Sequence, residues 1–251
     1  MPIEGKETAY ILRKLATCPL FIGFSAEEVG SLLPLLAAET VFCRKGSRVM
    51  SYGDPARTGL VLEGLMTASQ EIFDEALHIV EMLESGDVFC VDAAFSGEKT
   101  GYTDLTAECD CQILFFTLDG LFQNGNRESR ERLWQNVSRM LADRCIRLLY
   151  KTEVLSAKSL RNQVMTFFHI LQRKYGSDSF RIKMNRQQLA QYLCVNRSAL
   201  SRELSRMQQE GLIQFGRDRR VTMINGGQGQ VKCSVQAEGT KEYQTGGRTT
   251  G

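Results

Sequence analysis

The sequence is short of the residues that build metal centres. Its 251 residues include two histidines, His78 and His169, and no two of its eight cysteines form a C-x-x-C pair. Structural zinc sites take their ligands from closely spaced cysteines and histidines, and catalytic zinc sites usually need several converging histidines. We therefore expect neither kind of metal site in this chain.

Long apolar runs are missing as well. No apolar segment approaches the ~20 residues that a membrane-spanning helix requires. None follows the charged N-terminus, where a secretory signal peptide would have its apolar region. These absences predict a cytoplasmic protein without membrane contact, whose cysteines stay reduced.

Charge is present but unevenly distributed along a chain whose formal net charge is +2. Residues 158–224 contain 13 lysines and arginines against 4 acidic residues, a net charge of +9. Residues 58–126 contain 13 acidic residues against Lys99 alone, a net charge of −12. The basic block suits a polyanion, because side chains that neutralise phosphates release counterions. The acidic block would be repelled by nucleic acid.

Residues 185–207 have the apolar spacing of two short helices joined by a three-residue turn. Asn185 and Asn196 are suitable N-caps, and Gln188 completes a capping box with Asn185. Cys194 occupies a turn position where glycine with positive φ is common, so the turn must tolerate a side chain. Arginines and hydroxyls at the start of the second helix suit the major groove of DNA. We interpret the stretch as a helix-turn-helix motif.

A β-hairpin is predicted directly after this motif, with the sequence Gly-Arg-Asp-Arg at its turn. Such a hairpin makes the motif a winged helix, whose arginines can reach phosphates or an adjacent groove. We expect this DNA-binding domain to span residues 158–225 and residues 226–251, which are rich in Gly, Gln and Thr, to be a disordered tail. The residues expected to contact DNA are Gln187, Asn196, Arg197, Ser198, Ser201, Arg202, Arg206, Arg217 and Arg219.

The N-terminal part has a different pattern. Between about residues 38 and 118, short β-rich runs alternate with glycines, which predicts a small antiparallel β-roll. Two short helices are predicted before it, over residues 8–17 and 25–36. We assign residues 1–126 to one domain.

Residues 127–157 predict one long helix without internal Gly or Pro. Apolar residues recur in it every seven positions, and such a seam usually packs against a copy of itself. The expected dimer interface consists of Trp134, Leu141, Cys145, Leu148 and Leu155. The alternative is a helix that lies on its own β domain, for which Val137, Met140 and Leu149 offer a second apolar face. A helix with two such faces can do both.

This order of elements resembles the cyclic-AMP receptor / fumarate-and-nitrate-reduction regulator (Crp/Fnr) superfamily of bacterial transcription factors. The similar segments are residues 18–21 with 24–28, residues 85–89 and residues 185–224. The resemblance implies an α+β fold with an N-terminal antiparallel β-roll of the cyclic-nucleotide-binding-like, cupin-type jelly-roll class. A long dimerisation helix and a C-terminal winged helix-turn-helix follow it.

The resemblance also implies a function and partners. A homodimer would bind pseudo-palindromic double-stranded DNA, with RNA polymerase as a further partner, under control of a signal sensed by the roll. The family's base-reading positions carry over as Arg197, Ser198, Ser201 and Arg202. Relatives often have Glu where this chain has Ser198, and a Glu would accept a hydrogen bond from cytosine N4. The preferred half-site is therefore expected to differ.

The effector region departs from the family's cyclic-nucleotide binders. Their Gly-Glu and Arg-Ser pairs fall here on residues 90–91 and near residues 101–102, and no arginine occurs between Arg57 and Arg127. A buried phosphate would lack a cationic partner, which is costly. We therefore expect an effector other than a cyclic nucleotide, a neutral or cationic small molecule. The positions assigned to its pocket are Gly86, Asp87, Cys90, Asp92 and Tyr102.

Other interpretations stay open. Residues 86–90 resemble the haem-thiolate segment of the family's carbon-monoxide sensor, although Asp92 stands where that sensor has its exchangeable histidine and His78 is the one alternative ligand. Redox sensing through Cys109 and Cys111 and constitutive DNA binding without an effector are further alternatives.

An iron–sulfur cluster is not expected, because only Cys18 precedes Cys43. A cupin-like enzyme would need metal ligands or an acid–base pair in the roll, so we predict no catalytic residues, no enzyme activity and no required cofactor.

Overall fold

The structure is a computed structural model that describes residues 6–72, 76–96, 99–216 and 218–224. The helices are α1 (Lys6–Ala16), α2 (Ala26–Leu32), α3 (Val91–Phe95), α4 (Asp119–Asn124), α5 (Arg127–Leu155), α6 (Leu160–Tyr175), α7 (Arg186–Tyr192) and α8 (Arg197–Gln209). The strands are β1 (Glu39–Cys43), β2 (Arg48–Met50), β3 (Thr58–Glu63), β4 (Leu65–Ile72), β5 (Ala76–Glu84), β6 (Val88–Phe89), β7 (Asp104–Ala107), β8 (Cys111–Phe116), β9 (Ser179–Arg181), β10 (Ile213–Phe215) and β11 (Arg220–Met223). None of the helices in these ranges combines the length and the apolar content that a membrane crossing requires.

Two four-stranded antiparallel sheets form the N-terminal roll. Their strand orders are β1-β8-β3-β6 and β2-β7-β4-β5. The apolar sides of both sheets enclose a core that includes Met66, Leu105 and Ile113. The β-roll predicted from the sequence is confirmed.

The predicted helix over residues 25–36 is interrupted. The α-helix α2 ends at Leu32, and residues Leu33–Leu36 form a 3₁₀ turn with Pro34 near its start. Proline has no backbone N–H to continue an α-helical hydrogen-bond ladder, so the chain tightens there. The start of α2 has the predicted capping box between Ser25 and Glu28.

Helix α5 is attached to the roll along its N-terminal half. Leu133 and Val137 are buried in the core that α1 and the roll share. The buried Asn136 Nδ2 donates hydrogen bonds of 2.9 Å to the carbonyl oxygens of Leu20 and Ile22. Arg132 pairs with Glu28 and, through this hydrogen bond, lowers the pKa of Glu28 to about 2. The helix therefore packs on its own domain, as the alternative interpretation allowed.

The second apolar face predicted for that packing is only partly correct. Val137 is buried and Met140 packs against the roll core, but Leu149 is 67% exposed. Leu149 faces away from the roll, which contacts the opposite side of the helix at Lys151. Further along, Val154 enters the core of the C-terminal domain.

The C-terminal domain has a three-stranded antiparallel sheet in the order β10-β11-β9 and the helices α6, α7 and α8. Phe168, Leu193, Leu200 and Met207 are fully buried between them. Strand β9 precedes α7 and ends at Arg181. The winged helix predicted from the sequence is confirmed.

Gly120 offers a test of the packing between α4 and the 3₁₀ turn. A Cβ added at Gly120 would lie 2.2 Å from the Leu35 carbonyl oxygen, a backbone atom that cannot give way as a side-chain tip can. Gly120→Ala should lower the free energy of unfolding by about 1–3 kcal/mol. Urea unfolding followed by fluorescence of Trp134, the sole tryptophan, measures it, because its ring centroid lies 4.4 Å from that of Phe122 on α4.

The matched control is Gly30→Ala in α2. An added Cβ there meets nothing within 4 Å, so the substitution should stabilise the helix by about 0.5–1 kcal/mol. Equal stability of the two variants would contradict the packing described for α4.

Candidate nucleic-acid interface

The helix-turn-helix is built from local hydrogen bonds. Asn185 Oδ1 accepts from the Gln188 N–H, and Gln188 Oε1 accepts from the Asn185 N–H, both at 2.9 Å. Asn196 Oδ1 accepts from the Ser198 N–H at 2.8 Å and caps α8. Cys194 between the helices has φ +56°. The predicted caps are therefore confirmed, and the turn accommodates the Cys194 side chain at a positive φ.

Helix α8 has one buried face and one exposed face. Leu200, Leu204 and Met207 are buried against the rest of the domain. The opposite face carries the positions predicted to read bases, of which Arg197, Ser198 and Arg202 are exposed and Ser201 is half-buried. Neither Arg197 nor Arg202 pairs with a carboxylate within the described ranges. Their guanidinium groups can therefore bind phosphate or guanine without first losing an ion pair.

The remaining helix positions differ in their partners. Gln187 and Asn196 are exposed beside the same face. Asn196 Oδ1 also accepts from the Ser198 hydroxyl at 2.7 Å, so both side chains support the cap. Arg206 Nη1 lies 3.4 Å from Glu203 Oε2 in a weak exposed pair.

The wing arginines have more partners within the chain than the sequence suggested. Arg219 is half-buried with φ +64°, and its Nη1 donates 2.7 Å to the Lys183 carbonyl oxygen. Arg220 is exposed, with its Nε 3.4 Å from Asp218 Oδ2. Arg217, the other predicted wing contact, lies outside the described residues. Arg220 is therefore an additional wing cation that the predicted set omitted.

Arg161 of α6 orients the reading helix α8. Its Nη1 and Nη2 donate to the two carboxylate oxygens of Glu210 at 2.7 and 2.9 Å, and its Nε donates to Glu203 Oε1 at 2.7 Å. The hydrogen bond from Arg161 lowers the pKa of Glu210. These partners are 42 and 49 residues apart in sequence, so no local pattern could have revealed them.

The turn of the motif rests on strand β5 of the roll. His78 Nδ1 lies 2.9 Å from Cys194 Sγ. Lys151 of α5 donates to the Ile79 carbonyl oxygen, and its ammonium lies 4.7 Å from the centre of the Tyr192 ring. The roll and the winged-helix domain are thus in direct contact beside α8.

The predicted dimer positions occupy different environments in a single chain. Trp134 and Leu148 are 48% and 42% exposed, and Cys145 is exposed. Leu141 packs partly against the roll core, and Leu155 is half-buried. Cys145, Leu148 and Leu149 form an exposed apolar stripe on α5, whereas the Trp134 ring also packs against Phe122.

The predicted effector positions lie in separate segments of the roll and have different partners. Asp87 lies in the turn after β5, where its Oδ2 accepts from the Glu84 N–H at 2.8 Å and burial raises its pKa. Asp92 pairs with Arg144 of α5 at 2.8 Å. Tyr102 lies in another loop, where its backbone carbonyl oxygen accepts a hydrogen bond from Gln70 Nε2 at 2.8 Å. Gly86 and Cys90 flank the short strand β6.

The two residues considered for haem ligation lie in different surroundings. Cys90 is buried directly before α3 with φ +57°, and burial raises the pKa of its thiol to about 12. His78, the alternative ligand, contacts Cys194 in the other domain.

Comparison with known proteins agrees with this geometry. Residues 143–226 match the family model of the Crp-like helix-turn-helix domain. Electron transport regulator A of Shewanella oneidensis is 24% identical over 178 residues, which are 68% of this chain and 69% of that protein. The predicted resemblance to the Crp/Fnr superfamily is confirmed.

Solved structures share the fold over most of the chain. The c-di-GMP-responsive regulator CLP of Xanthomonas campestris has a TM-score of 0.63 at 20% identity, over 79% of this chain and 100% of that one. FixK2 of Bradyrhizobium japonicum has a TM-score of 0.59 at 19% identity, over 76% and 94% of the two chains. A CooA mutant of Carboxydothermus hydrogenoformans has a TM-score of 0.60 at 17% identity, over 78% and 86%.

Removing the Arg161 contacts should loosen α8. We expect Arg161→Ala to lower the melting temperature at pH 7. Because Glu210 has a lowered pKa in the folded chain, its contribution is present above its unfolded pKa and is lost as pH falls through the folded pKa. Melting temperatures of both proteins between pH 7 and pH ~3 should therefore converge at the acidic end.

Arg173→Ala, an exposed arginine on the same helix, is the control and should leave the melting temperature nearly unchanged. A gap between Arg161→Ala and the unaltered chain that stays constant with pH would exclude the carboxylate contacts as its cause.

Proposed function

We propose that this chain, whose fold and helix-turn-helix domain are of the Crp/Fnr type, is a homodimeric cytoplasmic transcription regulator. The observation that carries the proposal is the exposed face of α8, where Arg197 and Arg202 have no carboxylate partner in the described part of the chain. Each subunit would place α8 in the major groove of one half of a pseudo-palindromic operator. RNA polymerase is the further partner expected of such a regulator.

Charge supports DNA as the ligand of this face. The net charge of +9 over residues 158–224 attracts phosphates, while the −12 of residues 58–126 keeps the roll away from the duplex. The N-terminal amides of α8 can bind a backbone phosphate, and the arginines can bind guanine O6 and N7. Ser198 offers a hydroxyl in place of a carboxylate, so selection for cytosine at that position should be weak.

The apolar stripe on α5 supports the homodimer. Trp134, Cys145, Leu148 and Leu149 are exposed in one chain, and a second α5 would remove them from water. Heptad spacing favours a parallel pair, in which each residue of the seam meets its own copy. This arrangement relates the two reading helices by two-fold symmetry.

The roll would supply the regulation. A cyclic nucleotide remains unsuitable, since the positions of its phosphate ligands are Cys90-Val91 and Gly101-Tyr102. We expect a ligand without a buried phosphate, and we expect the protein to have no catalytic activity. The chain's contacts between β5 and the helix-turn-helix give such a ligand a physical route to α8.

Arg202→Ala should weaken binding to the preferred operator by about 1–3 kcal/mol and relax the preference at one base pair of each half-site. The reason is the loss of a bidentate contact with a base edge. Selection from a random DNA pool followed by gel-shift titration measures both effects.

Arg206→Ala and Arg139→Ala are the matched variants. Arg206, at the far end of α8, should affect all sequences alike through phosphate contacts, while the exposed Arg139 on α5 should have no effect. An unchanged sequence preference in Arg202→Ala would contradict its assigned role.

The parallel dimer predicts cross-linking through Cys145. Cys43, Cys109, Cys194 and Cys233 are first replaced by serine, so that Cys145 is the one thiol left in the described residues that is not buried. A short bis-maleimide should then join most chains into dimers, because each Cys145 faces its copy in a parallel seam. Denaturing electrophoresis reports the yield.

Adding Cys145→Ser to the same background should abolish the cross-link while size-exclusion chromatography still shows a dimer. A dimer that does not cross-link through Cys145 would place the subunit contact elsewhere.

A further inference from the structure

A cavity of about 260 Å³ lies between the roll and the winged-helix domain. The roll contributes β5 and the turn that follows it, α5 contributes its middle, and the C-terminal domain contributes α6, β9 and α7. An adjoining depression of about 580 Å³ shares Glu84, Tyr175, Arg181 and Lys183 with it and connects it to solvent. The cavity thus touches both of the domains whose arrangement the regulator must control.

The two walls carry opposite charges. Glu81, Glu84 and Asp87 come from the roll, whereas Lys174, Arg181 and Lys183 come from the C-terminal domain. Most of these groups already have partners. Glu84 pairs with Lys183, Glu81 pairs with Arg147 at 3.1 Å, and Arg181 Nε donates to the Asp218 carbonyl oxygen at 3.1 Å.

One group on each wall has no ion pair. Asp87 accepts a backbone N–H but contacts no cation within 4 Å in the described residues. Lys174 is exposed at the opposite wall, where its ammonium lies 5.9 Å from the centre of the Tyr175 ring, and it has no carboxylate partner in the same ranges. A carboxylate and an ammonium that face one cavity without ion pairs fit a molecule that carries both charges.

The floor between these walls is apolar. Phe167, Leu171, Met184 and Tyr192 line it. A volume of 260 Å³ is slightly below the ~300 Å³ at which drug-sized ligand pockets begin. The space therefore suits a small metabolite with an apolar or aromatic body.

We propose that this cavity is the effector site and that it binds a small zwitterion of the apolar amino-acid class. The ammonium of the ligand would face Asp87, the carboxylate would face Lys174, and the side chain would contact Phe167 and Met184. This inference rests on the proposed function, because it names the signal that the regulator senses. It moves the site away from Cys90, Asp92 and Tyr102 while retaining Asp87.

The location explains how the ligand would act. A molecule that contacts walls from two domains binds one interdomain arrangement better than any other, and this difference in affinity is what shifts a conformational equilibrium. The contacts of Lys183 with Glu84 and of His78 with Cys194 hold the present arrangement beside the reading helix. Ligand binding would strengthen or replace these contacts and so change the orientation of α8.

The test uses the full-length protein and a series of probes. L-phenylalanine, L-tyrosine and L-leucine carry both charges, 2-phenylethylamine lacks the carboxylate, and 3-phenylpropionate lacks the ammonium. Titration calorimetry should show that at least one amino acid binds, and at least tenfold more tightly than either single-charge phenyl compound. Binding of none of the three amino acids, or equal binding of the single-charge compounds, would overturn the proposal.

Two variants locate the binding site. Asp87→Asn keeps an oxygen for the Glu84 N–H and should reduce affinity for the amino acid to that of 3-phenylpropionate. Lys174→Gln should reduce it to that of 2-phenylethylamine. The control Asp143→Asn, on the exposed side of α5, should bind like the unaltered chain, and unchanged affinity in both cavity variants would refute the location.

The same samples distinguish this inference from the proposed function. Gel-shift titration with the selected operator is run with and without the bound amino acid, which should change operator affinity at least fivefold. Specific DNA binding with no amino-acid binding would overturn the effector site and leave the regulator intact. Amino-acid binding without specific DNA binding would overturn the regulator instead.

Discussion

Helix α5 packs against both domains of the chain and has an exposed apolar stretch between these two contacts. The rest of the molecule depends on how this helix is packed. Its N-terminal half is buried on the roll through Leu133, Asn136 and Val137, and its end enters the winged-helix core through Val154. The intervening stretch leaves Cys145, Leu148 and Leu149 exposed. Because both domains are attached to one continuous helix, a displacement of α5 in one domain also shifts the position of the other domain.

The separation of charge has two effects that oppose one another. The basic C-terminal domain is attractive to DNA, and it is equally attractive to the acidic roll of its own chain, as the pair between Lys183 and Glu84 shows. This pair is half-exposed, and pairs of this kind contribute little to stability because water screens them. Its value here lies in orientation, since it holds one arrangement of the domains while Arg197 and Arg202 have no carboxylate partner among the described residues.

Local patterns predicted local structure well. The caps at Asn185 and Asn196 and the unusual backbone at Cys194 follow from residue type and spacing, and the β-roll follows from short strands between glycines. The sequence could not show that Leu149 faces away from the roll, nor that the two short helices α3 and α4 would form. Contacts between distant residues, such as His78 with Cys194 or Arg161 with Glu203, depend on the tertiary fold and left no pattern in the chain.

The contacts of Arg161 also have a mechanical consequence. The guanidinium holds α8 at Glu203 and at Glu210, positions separated by about two helical turns or roughly 10 Å. A rotation of α8 relative to α6 would break at least one of these contacts, so they favour movement of the two helices together. In a dimer, the distance and angle between the two copies of α8 would then depend on the short α5–α6 connection around Ser156 and Ser159. A one-residue change in the length of this connection would alter the operator spacing without changing any DNA-contacting side chain.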